Sequence, residues 1–134
     1  MSNIIDIEGV GPAYAEKLTA AGVQTVEALL EAGATPGGRK RVAEQAGISD
    51  HLILKWVNHA DLFRINGVAG EYAELLEAAG VDTVPELAQR NAQHLQAKMA
   101  DVNESTHLVR RVPTESEVDK WVHEAKNLPR GVQY

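Results

Sequence analysis

The sequence predicts an all-α protein built from two tandem copies of one helical unit, four to five helices in each, packed together. Three observations point there. Aromatic residues are only 4% of the 134 positions, so the core must be built from Ala, Leu, Val and Ile, a palette that favours helix over sheet. Apolar residues recur at helical spacing between Gly, Pro and Thr or Ser stops. Residues 7–30 return as residues 65–88, with 14 of 24 paired positions identical.

A repeat of this kind divides a chain before any other feature does. The offset is 58 residues from Gly9 to Gly67, and Lys55-Trp56-Val57 returns as Lys120-Trp121-Val122 at an offset of 65. The second copy therefore carries a seven-residue insertion. The expected units are 1–61 and 62–128, with 129–134 as a C-terminal tail. Each unit is small and would bury only a modest core by itself.

After Gly9-Val10-Gly11, Pro12 stands where a helix can start, since its missing N–H would be unbonded there in any case. Tyr14, Leu18 and Ala21 follow at helical spacing, and Gly22 ends the helix. Thr25 is the expected N-cap of a second helix carrying Val26, Leu29 and Leu30, which Gly33 stops. Thr35-Pro36 opens a third, holding Val42, Ala43 and Ala46 and ending at Gly47. Ser49 caps a fourth, whose apolar residues Leu52, Ile53, Trp56, Val57 and Ala60 make it the most buried element.

In the second copy Thr83 and Pro85 start one helix, and Asn91 starts another through Leu95 and Met99. Thr114 and Glu117 have capping-box spacing ahead of Val118, Trp121 and Val122. Asn127-Leu128-Pro129 ends that helix. Residues 103–113 fit no element and must hold part of the insertion. Trp56 and Trp121 lie at equivalent places on apolar faces, which points to core packing.

Several function classes fall away. No run approaches the ~18 apolar residues of a membrane span, and the first residues lack a signal-peptide pattern, so a cytoplasmic protein is expected. There is no cysteine, hence no disulfide framework or thiolate metal site. His51, His59, His94, His107 and His123 form no recognised metal pattern. No nucleophile elbow or phosphate-binding loop signature is present. The expectation is no enzyme, no metal and no cofactor.

Gly9-Val10-Gly11-Pro12-Ala13-Tyr14-Ala15-Glu16-Lys17-Leu18, with Ala21-Gly22-Val23-Gln24-Thr25-Val26-Glu27-Ala28-Leu29, resembles a helix-hairpin-helix motif of the SAM-like kind. The first unit, down to Ala46-Gly47-Ile48-Ser49, is similar to the N-terminal helix-hairpin-helix domain of archaeal and eukaryotic RecA-like recombinases. The tandem arrangement, with Arg39-Lys40 and the run Lys55–Leu62, resembles an uncharacterised bacterial family of paired units, the domain of unknown function 4332. The resemblance implies a helical bundle that contacts DNA without catalysis. It is weaker for function than for fold, since such hairpins also mediate protein contacts.

The candidate phosphate-binding residues follow from helix-end chemistry. A glycine turn lets the backbone approach a phosphate, and free N–H groups at the next helix start donate to it. Gly9, Val10 and Gly11 are placed for this role, with Lys17 one turn on. Against it, Pro12 removes an amide, Glu8 repels an anion, and Ala13 stands where DNA-binding relatives often carry a cation. In the second copy Ala69 replaces the second glycine, and Glu71 would compete for the free amides, so that turn reads as structural.

The other candidate is Gly37, Gly38, Arg39, Lys40 and Arg41, where cations open a helix whose N-terminus prefers acids. Such a stretch is either an anion site or a solvated basic turn neutralised by Glu27, Glu31 or Glu44. The net charge of −6, shared as −3 by each copy, opposes a nucleic-acid partner. The expected function is sequence-independent contact with a nucleic-acid backbone, DNA above all. The alternative is a protein-interaction or self-associating (homo-oligomer) module with no nucleic-acid role and no membrane contact.

Overall fold

A computed structural model describes residues 2–134, and among them are eight α-helices and no strand. The single extended pairing is one isolated bridge between Asn3 and Thr25. The all-α class is thus as the sequence predicts. The chain forms two compact units, one running to Asp61 and including Gly131–Tyr134, the other Leu62–Arg130. Among the described residues no helix is long and apolar enough to cross a membrane.

The first unit opens with a short 3-10 turn, Ile4–Asp6, followed by α1 (Pro12–Ala20), α2 (Val26–Ala32), α3 (Pro36–Ala46) and α4 (Asp50–Leu62). Local chemistry sets the boundaries. Pro12 is the first residue of α1, behind an extended Gly11. Thr25 Oγ1 accepts from Ala28 N at 3.0 Å and starts α2, and Thr35 Oγ1 accepts from Gly38 N at 3.0 Å and starts α3. Ser49 Oγ accepts from Leu52 N at the head of α4. Helices α1 and α2 both pack on α3, around a core that includes Leu18, Leu29, Ile53, Trp56 and Val57. Burying each large side chain contributes roughly 1.5–3 kcal/mol.

The second unit comprises α5 (Gly70–Ala78), α6 (Val84–Ala88), α7 (Ala92–Thr106) and α8 (Glu115–Lys126). Helix α8 packs on α6 and α7 over a core of Leu75, Leu76, Leu87, Leu95, Met99, Val118 and Trp121. The insertion lengthens α7 to 15 residues, against 11 in α3, and adds a loop behind it. Asn103 stitches that loop: its Nδ2 donates to Val109 O at 3.0 Å, and its Oδ1 accepts from Val109 N at 2.9 Å. Burial of Val109 anchors the loop's middle.

The sequence sets 129–134 apart as a tail, but its last four residues belong to the first unit. Val132 is buried, Gln133 N donates to Ala34 O at 2.7 Å, and Tyr134 Oη donates to Asn58 Oδ1 at 2.8 Å. One valine and two polar contacts suffice to dock a segment too short to show any periodicity.

Candidate functional site

In the first glycine turn, Gly9 has φ +92°, a left-handed value that a side chain makes costly. Val10 is buried and its N–H donates to Ile7 O at 3.0 Å, so it braces the turn and offers no donor. Gly11 is the extended residue ahead of α1, and Ala15 N donates back to its carbonyl at 2.9 Å. No described residue accepts from the N–H groups of Glu8, Gly9, Gly11, Ala13 or Tyr14. Those of Gly11, Ala13 and Tyr14 lie at the positive end of the α1 dipole.

Behind the turn lies an aromatic pair. Tyr14 meets Trp56 edge-on, with ring centroids 5.0 Å apart. A Cβ on Gly9 would lie 3.5 Å from Trp56 Nε1. Lys17 is exposed, its Nζ 6.0 Å from the Tyr14 ring centroid. Gly9, Trp56, Tyr14 and Lys17 thus form one continuous run of neighbours.

The second copy repeats the arrangement. Gly67 has φ +89°, its missing Cβ would lie 3.3 Å from Trp121 Nε1, and Tyr72 lies 5.4 Å from Trp121. Here an acid occupies the turn: both oxygens of Glu124 accept from Asn66 N at 3.2 Å. Asn66 corresponds to Glu8 of the first copy, and Glu124 corresponds to His59. The sequence expects Glu71 as the competing acid. The carboxylate that reaches the turn comes instead from α8, which sequence spacing could not place there.

The basic stretch disperses. A Cβ on Gly38 would lie 2.2 Å from Ala32 O, so this glycine serves the close approach of α2 and α3, and its N–H is held by Thr35. Arg39 turns inward and is only 8% exposed. Its Nη1 donates to Gly33 O at 3.0 Å and to Ala34 O at 3.4 Å, and its guanidinium lies 5.7 Å from the Tyr134 ring centroid. A cation on the carbonyls that directly follow α2 suits the negative end of that helix. Neither Gly38 nor Arg39 can therefore serve an external anion. Gly37, Lys40 and Arg41 remain exposed.

Arg41 lines a groove with Ala21, Gly22, Val23 and Gln45, at the end of α1 away from Gly9. The nine residues of α1 separate those ends by roughly 13 Å. The amides of Ala21, Gly22 and Val23 already donate to carbonyls of α1, which leaves that turn no donors. Arg41 and the Gly9 turn therefore do not share one pocket.

In the inserted loop Arg111 forms a two-pronged pair with Glu117, at 2.7 and 2.9 Å. The hydrogen bond from Arg111, then that from the Thr114 amide, holds the Glu117 carboxyl down at about 2, and Glu117 raises Arg111 above its usual range. Of the histidines, His123 pairs with Asp119, Nδ1 lying 3.5 Å from Oδ2. Among the described residues no group of three or more His, Asp or Glu side chains is placed to hold a metal ion.

Residues 8–128 match a family model described as a domain of unknown function, DUF4332. Neither the curated proteins nor the solved structures contain a match to the chain.

Proposed function

The chain belongs to the DUF4332 family, and from that premise we propose that it is a non-enzymatic binding module whose first glycine turn receives a phosphate of a nucleic-acid backbone. In this reading Gly9 and Gly67 mark the hairpins of two helix-hairpin-helix motifs, the first unit being of the kind found at the N-terminus of RecA-like recombinases. The observation that carries it is the contrast between the copies. The Asn66 amide holds the carboxylate of Glu124, while the equivalent Glu8 amide has no acceptor among the described residues. A turn of this form accepts an anionic oxygen, and only the first copy leaves the place open.

Recognition through main-chain donors carries no sequence information, so binding is indifferent to base sequence. Lys17, Lys40 and Arg41 are the exposed cations among the candidates, so the salt dependence is modest. Three phosphate contacts give a log–log slope no steeper than about −3. Fluorescence anisotropy with labelled duplex and single-stranded DNA at two salt concentrations tests this. Absence of binding at the lower salt contradicts it.

A second reading replaces the phosphate by a carboxylate of a protein partner or of a second copy. The net charge of −6 favours it by opposing long-range attraction to a polyanion. Self-association in sedimentation, with no DNA binding at low salt, selects this reading.

A further inference from the structure

We infer that the indole N–H of Trp56 is a further donor of the anion site at the Gly9 turn, placed to take a phosphate oxygen; this rests on the phosphate reading above. Trp56 is 1% exposed, yet no described residue accepts from its Nε1. The indole nitrogen is not among the enclosed, unpartnered side-chain atoms of the described residues, so it keeps contact with solvent and is open to an external acceptor of the kind an indole N–H normally finds. Gly9 lies beside it: a Cβ there would stand 3.5 Å from Nε1, in ordinary van der Waals contact. Gly9 is itself exposed, with only hydrogen on its Cα.

The second copy shows what shares that space. Asn66, Gly67, Trp121 and Glu124 line one cleft of about 400 Å³, together with Glu117 and Lys120. The turn amide and the indole ring therefore border the same volume, and one anion borders both. Trp121 is 4% exposed and likewise has no acceptor for its Nε1 among the described residues. In the first copy the positions of Glu117 and Glu124 are held by Leu52 and His59. The cleft carboxylates Glu117 and Glu124 thus have no acidic counterpart at the equivalent positions of the first copy, which makes Trp56 the tryptophan placed to serve an external anion.

The chain has two tryptophans, so a proton–nitrogen correlation spectrum shows two indole signals, assigned by conventional through-bond experiments. The full chain is titrated with inorganic phosphate at constant ionic strength, and separately with a short DNA duplex whose binding is followed by anisotropy. The expected result is a saturable downfield movement of the Trp56 indole proton with Trp121 unmoved. A Trp56 signal that stays still with both probes, or two signals that move alike, overturns the inference. DNA binding without movement of Trp56 overturns it too, while leaving the phosphate-backbone reading intact. Movement with inorganic phosphate but no DNA binding upholds the donor and removes nucleic acid as its partner.

Discussion

At the scale of single residues, neighbouring side chains of one type have opposite duties. Arg39 is buried against the carbonyls of Gly33 and Ala34, whereas Lys40 and Arg41 are exposed. Arg39→Ala is expected to destabilise the protein by roughly 1–3 kcal/mol, because a charge-assisted hydrogen bond and buried packing are lost together. Lys40→Ala and Arg41→Ala should each change stability by less than about 0.5 kcal/mol. Each should instead reduce the steepness of the salt dependence of DNA binding by up to about one unit. Denaturant titration beside anisotropy separates the two behaviours. The glycines divide likewise. Gly9→Ala forces a side chain into a left-handed backbone, costing about 1–2 kcal/mol, and puts a methyl group beside Trp56 Nε1, so binding falls with it. Gly11→Ala meets open space at φ −84°, and the second copy carries Ala69 there, so its cost stays below about 1 kcal/mol.

At the scale of the element, the decisive difference between the copies is what the fourth helix of each presents to its turn. Helix α8 brings Glu124 to the Asn66 amide. Glu124→Gln is expected to keep the fold and lower the negative charge at that turn. The amide signals of residues 66–72, silent in the parent, should then respond to DNA, and overall affinity should rise. The head of α8 is equally specific. Glu117 accepts from Arg111 and from the Thr114 amide, which holds its carboxyl at about 2 against an ordinary 4.5. A lowered folded-state value means the stabilisation is present above pH 4.5 and is lost as the pH falls from there toward 2. The stability difference between the parent and Glu117→Gln should shrink across that interval, as read by thermal melts at stepped pH. Helix ends of this kind were legible because they are local: Thr25, Thr35, Ser49 and the Thr114–Glu117 box sit beside the amides they cap. The inward turn of Arg39 and the reach of Glu124 were not. Both depend on where another helix lies in space, 58 residues away along the chain for Glu124 and Asn66. A clue did exist in the identity of Gly9, Tyr14 and Trp56 with Gly67, Tyr72 and Trp121, a trio whose members neighbour one another in both copies.

At the scale of the whole molecule, a net charge of −6 sets the terms of any association with a polyanion. Attraction has to come from a few main-chain and side-chain donors at short range, since the summed charge repels. Affinity should therefore be modest at physiological salt and should depend on the turn more than on scattered cations. The docked segment Gly131–Tyr134 contributes at this scale as well. Its Gln133 and Tyr134 contacts bear on the same α2–α3 connection that Arg39 braces. Deleting residues 131–134 should lower the melting temperature and leave the Gly9 turn's response to DNA unchanged. The most direct test of the anion-receiving turn is a backbone amide map of the intact chain during titration with a short DNA duplex at low salt. Saturable shifts centred on residues 8–14, with smaller ones at Lys17, Lys40 and Arg41 and with residues 66–72 silent, are the expected result. Equal response of both turns, or shifts concentrated elsewhere with residues 8–14 unmoved, would contradict it.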